Sequence, residues 1–281
     1  MIDSLVTDVL RCPCCAADMT LGNNGKSLFC LGARKHCYDL SSSGYINLSP
    51  THSAGGDSKE AVRSRTEFLD SGAYAPVAEA VCKMLGKYLP QGACVVDAGC
   101  GEGYYSCLIA NDRYNVIGFD LSKEAVNSGA KRAKREKNEK AFFGVASVYS
   151  LPLKDSSADA LVNIFAPCAE NEYRRVLKDS GVFAFVYAGE KHLMGLKRAI
   201  YDTVYENEER ADLPQQMELV EKKRVLYEIT LEGNTQIQNL FSMTPYYWRT
   251  SLEDKQKLSG LERLTTDVDI IIEIYKKKDV K

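Results

Sequence analysis

The sequence has no surplus of charge of either sign: 36 basic residues stand against 38 acidic ones in 281, a formal net charge of -2. A globally basic surface for nucleic acid is excluded, so any such site must be a local patch. No apolar run approaches the roughly 18 uninterrupted residues that span a bilayer. The opening segment MIDSLVTDVL carries two aspartates and lacks the basic stretch of a secretion signal. No membrane contact and a cytoplasmic location are therefore expected. Internal repeats and low-complexity tracts are missing too, and the 45% apolar content is that of an ordinary globular chain, which excludes disorder.

Ten cysteines are present, and those at 12, 14, 15, 30 and 37 crowd into one short stretch. Such crowding in a chain of this length indicates metal rather than a disulfide framework. Residues 1–50 are rich in Cys, Gly, Ser and Asn and carry only short apolar runs, too little for an independent core. Cys12 and Cys15 form a C-x2-C pair, and Cys30 and His36 follow. This spacing suits a tetrahedral Zn2+ with four protein ligands and no open position, a structural rather than catalytic ion. From spacing alone Cys14 remains possible inside the first knuckle, and Cys37 could replace His36.

Residues 51–58 (THSAGGDS) read as a linker, and a helical pattern starts at Lys59. The expected division is a zinc-binding module over 1–50, a linker and first helix over 51–75, and the main domain over 76–281. From about Ala93 short β-rich runs alternate with helix-length segments: CVVDA, NVIGFD, AFFGVA, DALVNIF and VFAFVYAG. That rhythm predicts a doubly wound α/β sheet. ITLEG and DVDIIIEIYKKK add two strands with an antiparallel, hairpin-like relation, seven in all.

The strand Val95-Val96-Asp97-Ala98 runs into Gly99-Cys100-Gly101-Glu102-Gly103 and then a helical segment. Glycines there allow positive φ angles and close backbone approach to a ligand at the carboxyl end of the strand. The spacing is D-x-G-x-G-x-G rather than G-x-G-x-x-G. An acid at the entry would repel a diphosphate and welcome an ammonium group, and Asp120, closing the next strand, can accept both hydroxyls of a ribose. The pattern resembles the class I S-adenosylmethionine (SAM) methyltransferases over roughly residues 70 to 275. That resemblance implies a seven-stranded Rossmann-like fold, Asp97 near the methionine end of the cofactor, Asp120 on its ribose, and Ala146 and Ser147 at the adenine.

After the fourth strand comes Phe165-Ala166-Pro167-Cys168. Two chemistries suit it. The turn could offer backbone carbonyls and the Phe165 ring to a flipped-out base whose ring nitrogen attacks the methyl group. Alternatively Cys168 could add to C6 of a pyrimidine and activate C5. As a lone cysteine it could also be a small apolar filler.

The segments LRCPCC, HCYDLSSSGYINLSP, GDSKEAVRSRTEFLDSGAY, DAGCGEGYYS, LPLKDSSADALVNIFAPC, KHLMGLKRAIY and MTPYYWR resemble the 23S ribosomal RNA guanine-N1 methyltransferase family over nearly the whole chain. The resemblance implies methyl transfer from SAM to a guanine N1, and for that reaction the turn with Phe165, Pro167 and Cys168 is expected to position the base. It implies Cys12, Cys15, Cys30 and His36 as zinc ligands with Cys37 excluded. Further cofactor contacts follow from Tyr74, Gly99, Gly101, Tyr105, Ser106 and His192, as do a 23S rRNA hairpin as partner and a homodimer. The family's basic linker is missing, which leaves Arg11, Arg34, Lys35, Lys59, Arg63 and Arg65 as candidate phosphate contacts. The run 131–140 (KRAKREKNEK) reads as solvated helix surface, and Glu170, Asn171 and Glu172 are candidates near the base. A cytosine-C5 methyltransferase using Cys168 and a small-molecule methyltransferase are the competing readings.

Overall fold

The computed structural model describes residues 4–49, 56–111, 113–208, 210 and 212–278. Most of the expected linker, residues 51–55, lies outside them. The N-terminal segment has helix α1 (Ser4–Val9), strands β1 (Met19–Gly22), β2 (Ser27–Cys30) and β3 (Cys37–Asp39), which form an antiparallel three-stranded sheet, and strand β4 (Tyr45–Asn47). Helices α2 (Lys59–Asp70) and α3 (Ala75–Leu85) follow. Ser58 caps α2 by accepting the Ala61 N–H, an interaction worth about 1 kcal/mol.

The main domain then alternates as the sequence predicts: β5 (Cys94–Ala98), α4 (Tyr104–Ile109), β6 (Asn115–Asp120), α5 (Lys123–Arg135), β7 (Ala141–Val145), β8 (Ala158–Ile164), α6 (Glu170–Val176), β9 (Leu177–Ala188) and α7 (Met194–Ile200). A long β10 (Met217–Glu232), the short helices α8 (Asn234–Ser242), α9 (Tyr246–Arg249) and α10 (Leu252–Ser259), and β11 (Arg263–Lys277) complete it. The sheet order is β10-β11-β9-β8-β5-β6-β7-β4. β11 runs antiparallel to both β9 and β10, and the other pairs are parallel. All seven expected strands are present, and β4 extends the sheet by an eighth from the N-terminal segment.

Successive strand residues face opposite sides. Val95, Val116, Val162 and Val186 enter one core with α3, α7 and α8, while Val96, Ile117, Phe183 and Phe185 enter another with α6. Leu10, Leu28 and Ile46 join this second core, and backbone bonds tie the segment on: Lys154 N–H to Val9 O at 2.8 Å and Arg11 N–H to Pro152 O at 3.0 Å. The cysteine-rich segment, too small for its own core, thus shares one with the sheet.

The expected solvated surface over 131–140 holds two buried residues, Ala133 and, unexpectedly for a charge, Arg132. Arg132 is buried, pairs with Asp70 at 2.7 Å, and lies over the Tyr104 ring. It is packed among aromatic and acidic groups of neighbouring helices that a single-helix reading cannot show.

Candidate active site and metal cluster

β5 and β8 lie side by side while the chain departs from them in opposite directions, so their carboxyl ends open a crevice, the usual ligand position in such sheets. The crevice is a cavity of about 730 Å³. Gly99 has φ +91°, and a Cβ on it would lie 2.4 Å from the Cβ of Ala166. Glycine there is what lets the turn after β8 close against the turn after β5. Tyr74, Gly99, Gly101, Tyr105, Asp120, Phe165, Pro167 and His192 all line the cavity, so the structure gathers these expected residues from distant parts of the chain.

Asp97 and Ser106 are placed behind the wall. Both are buried, and the Ser106 hydroxyl donates to Asp97 Oδ2 at 2.5 Å. Burial pushes the Asp97 carboxyl up to about 7, opposed by the Ser106 hydrogen bond and reinforced by the charges of Asp120 and Glu102. Asp120 is held by the N–H groups of Gly101 at 3.1 Å and Ser122 at 2.8 Å, and burial raises its carboxyl as well. Arg65 lies against this acidic group, paired with Glu102 and Asp57, each at 2.6 Å. This pair takes Arg65 out of the phosphate candidates. Arg63, Lys59 and Arg11 are each in ion pairs with Glu67, Glu124 and Asp155.

Ala146 and Ser147 do not line the cavity. Ala146 donates its N–H to Asp120 O at 3.1 Å, and the Ser147 hydroxyl accepts the N–H of Tyr149. Cys168 is also outside the wall, half-buried against the second core, and burial pushes its thiol up to about 11. A thiol so shifted is almost wholly protonated near neutrality and is a poor nucleophile. Glu170 accepts the N–H groups of Gln215 and Gln216, Glu172 binds Arg175 and the Leu151 N–H, and Asn171 accepts from Gln216. None of the three lines the cavity.

Phe165 has φ +57°, a left-handed conformation costly for an aromatic residue. Its exposed ring stacks on His192 and tilts against Tyr74. His192 Nδ1 accepts the Asp269 N–H at 3.3 Å, which leaves Nε2 as the protonated nitrogen facing the Tyr74 hydroxyl at 3.2 Å. Burial pushes His192 down to about 4, so it is neutral at physiological pH. One carbonyl of the turn expected to face the base is already engaged. Pro167 O already accepts from Asn163 Nδ2 at 2.8 Å and the Tyr173 hydroxyl at 3.1 Å, filling both its lone pairs.

Sequence reasoning missed the irregular stretch between α7 and β10. Asn207 Nδ2 donates to the carbonyls of Gly189, Glu190 and His192, and Arg210 Nη2 donates to Ala166 O at 3.0 Å. The Arg210 guanidinium lies 4.6 Å above the Phe185 ring and is paired with Asp212. Asn207, Glu208 and Arg210 line the cavity, as do Met243, Thr244, Pro245 and Tyr246. The only hint in the sequence was the segment MTPYYWR; Asn207, Glu208 and Arg210 belong to no motif.

In the N-terminal segment the ligand atoms of Cys12, Cys15, Cys30 and His36 lie within 4.8 Å of one another. Tetrahedral zinc with Zn–S of about 2.3 Å needs sulfurs roughly 3.8 Å apart, so the quartet has the dimensions of such a site. The Gly32 N–H donates to Cys30 Sγ at 3.2 Å. Cys14 instead receives the Tyr38 hydroxyl, and Cys37 faces Asp39. His36, and not Cys37, completes the group.

A family model described as a methyltransferase domain matches residues 90–255. Together with the sheet order and the glycine-floored crevice, this makes the chain a SAM-dependent methyltransferase. A 23S rRNA (guanine(748)-N(1))-methyltransferase of Streptomyces fradiae is 30% identical over 282 residues, covering 95% of this chain and 97% of that protein. A Bacillus subtilis strain 168 protein, provisionally named 23S rRNA (guanine-N(1)-)-methyltransferase YxjB, is 29% identical over 283 residues, 94% of this chain and 96% of that one. Among solved structures, YcgJ of Bacillus subtilis is similar at 17% identity with a TM-score of 0.48, covering 70% of this chain and 97% of that one. The chain belongs to the 23S rRNA (guanine-N1)-methyltransferase family. No helix among the described residues is long and apolar enough to cross a membrane.

Proposed function

We propose that this protein transfers the methyl group of SAM to N1 of a guanine in a 23S rRNA hairpin, acting in the cytoplasm as a homodimer. The observation that carries the base-binding part is the exposed ring of Phe165, held in a strained backbone at the cavity and stacked on His192. A strained aromatic residue persists where the surroundings over-determine it, and such positions cluster at ligand sites.

The cavity fits the cofactor on its own terms. Tyr105 lines it with a buried hydroxyl that has no hydrogen-bond partner among the described residues, an orphan that a bound polar ligand would satisfy. Tyr74, Gly99, Gly101, Tyr105 and His192 would hold SAM with Asp120 at the ribose and Asp97 and Ser106 backing its ammonium end. When bound, it supplies an electrophilic methyl carbon.

The chain's residues must then remove the guanine N1 proton and stabilise charge on O6. Nε2 of His192 already carries its proton and Nδ1 is engaged, so His192 is no base. Of the carboxylates lining the cavity, Asp57 and Glu102 are paired with Arg65 and Asp120 accepts two N–H groups. Glu208 makes no ion pair among the described residues, and we assign it as proton acceptor. Arg210 Nη1 makes no hydrogen bond among the described residues and is assigned to O6. Phe165 and Pro167 orient the base, with Cys168 shaping the turn from below. The high thiol value and remote placement of Cys168 weigh against cytosine-C5 chemistry.

Zinc held by Cys12, Cys15, Cys30 and His36 braces residues 1–50 as an RNA-recognition module. Residues 51–75 link it to the catalytic domain at 76–281, and exposed Arg34 and Lys35 supply phosphate contacts. Nucleoside mass mapping of a 23S rRNA transcript after incubation with protein and SAM tests the function. One N1-methylguanine is expected, and 5-methylcytosine or an unmodified transcript would refute it.

A further inference from the structure

The chain's one tryptophan, Trp248, is 75% exposed. An indole left in water forfeits a large apolar burial, so its exposure calls for a partner. It is also not loose. Phe241, buried in the first core, packs edge-on against Tyr247, with centroids 5.4 Å apart, and Tyr247 packs edge-on against Trp248 at 5.2 Å. The helix carrying them is pinned at its end, where Thr250 donates to Tyr246 O at 2.8 Å and meets the Tyr201 hydroxyl at 2.7 Å. Tyr246, two residues before Trp248, lines the catalytic cavity.

The surroundings give the partner's charge. Arg249 follows Trp248 directly in the chain, and the Lys255 ammonium lies 4.2 Å over the Tyr247 ring. Neither cation pairs with a carboxylate among the described residues. An anchored aromatic pair with two neighbouring cations that no carboxylate neutralises among the described residues, next to the rim of a site for an unstacked base, has the make-up of a single-strand nucleic-acid platform.

We propose that Trp248 stacks on an unpaired base neighbouring the target nucleotide, with Arg249 and Lys255 on the flanking phosphates. This inference rests on RNA being the substrate. The platform holds the strand open beside the cavity and gives a register for the base that enters it.

The single tryptophan makes the test direct. With the zinc-loaded full chain, a short single-stranded RNA is expected to quench and shift Trp248 emission, and the same sequence paired into a duplex is expected to leave it nearly unchanged. Trp248→Ala should raise KM for the 23S rRNA transcript by about 5- to 150-fold, with kcat and SAM affinity preserved, and Trp248→Phe should recover much of it. Arg249→Ala should lower the salt slope of binding by about one.

If the wild-type protein neither binds nor methylates the transcript, the RNA reading itself falls. If it methylates normally while emission and the Trp248→Ala KM stay unchanged, only this inference falls. Emission that depends on protein concentration without RNA, together with self-association lost in Trp248→Ala, would replace the RNA base with a second copy of this chain.

Discussion

The ring of Phe165 lies almost parallel to that of His192, with centroids 6.3 Å apart and an interplanar angle of 15°. One comes from the turn after β8 and the other from the turn after β9, and both rest against Tyr74 from the start of α3. This group forms one wall of the cavity, and the proposed base would stack on it.

Phe165→Ala is expected to lower methyl transfer to RNA by about 5- to 150-fold, the range of base–aromatic stacking, and to leave SAM affinity unchanged by calorimetry. Phe165→Gly separates strain from function. Removing the Cβ at φ +57° relieves roughly 1 kcal/mol or more of backbone strain, so the melting temperature should hold or rise while transfer falls. A Phe165→Gly protein that stays fully active would show that the ring does not bind the base.

The buried acid behind the crevice predicts a pH dependence. The Asp97 carboxyl is raised from 3.8 to about 7 in the fold, so the folded state binds this proton more tightly than the unfolded chain. The cofactor-free protein therefore loses stability from this group as pH rises across that window. A cationic ligand favours the ionised form, so SAM affinity should rise with pH up to about 7 and fall up to tenfold per unit below it. Proton release on binding, measured in buffers of different ionisation enthalpy near neutrality, checks the sign; Asp97→Asn should abolish it.

Glu208→Gln is expected to cut kcat by about 10²- to 10⁴-fold, the usual contribution of a positioned base, with KM for the transcript little changed. Cys168→Ser, by contrast, should retain near wild-type transfer. Loss of activity in Cys168→Ser with a trapped covalent RNA adduct in the wild type would restore the cytosine reading.

Metal content gives a further check. The full chain should carry one zinc, kept in Cys14→Ser and Cys37→Ser and lost in Cys12→Ser or His36→Ala. Because Leu10, Leu28 and Ile46 belong to the second core of the main sheet, chelation should lower the melting temperature of the whole protein rather than release an independent fragment.

Strands such as CVVDA and NVIGFD were legible because central parallel strands are apolar on both faces and end at short turns. The C-x2-C pair and the D-x-G-x-G-x-G turn were legible for a related reason: each packs its chemistry into a few consecutive residues. Strand β4 was not, since three residues carry no periodicity and join the sheet through pairing with the distant β7.

The amino-acid order by itself determined the alternating sheet, the glycine floor and the C-x2-C pair, because these depend on local spacing, whereas the choice of His36 over Cys37 beside that pair was made in the fold. Only the tertiary structure decided that Arg65 is spent on Glu102, that Pro167's carbonyl is already occupied, and that Asn207, Glu208 and Arg210 reach the cavity. Burial, hydrogen-bond competition and ion pairing are settled between segments far apart in the chain, and no window of sequence contains both partners.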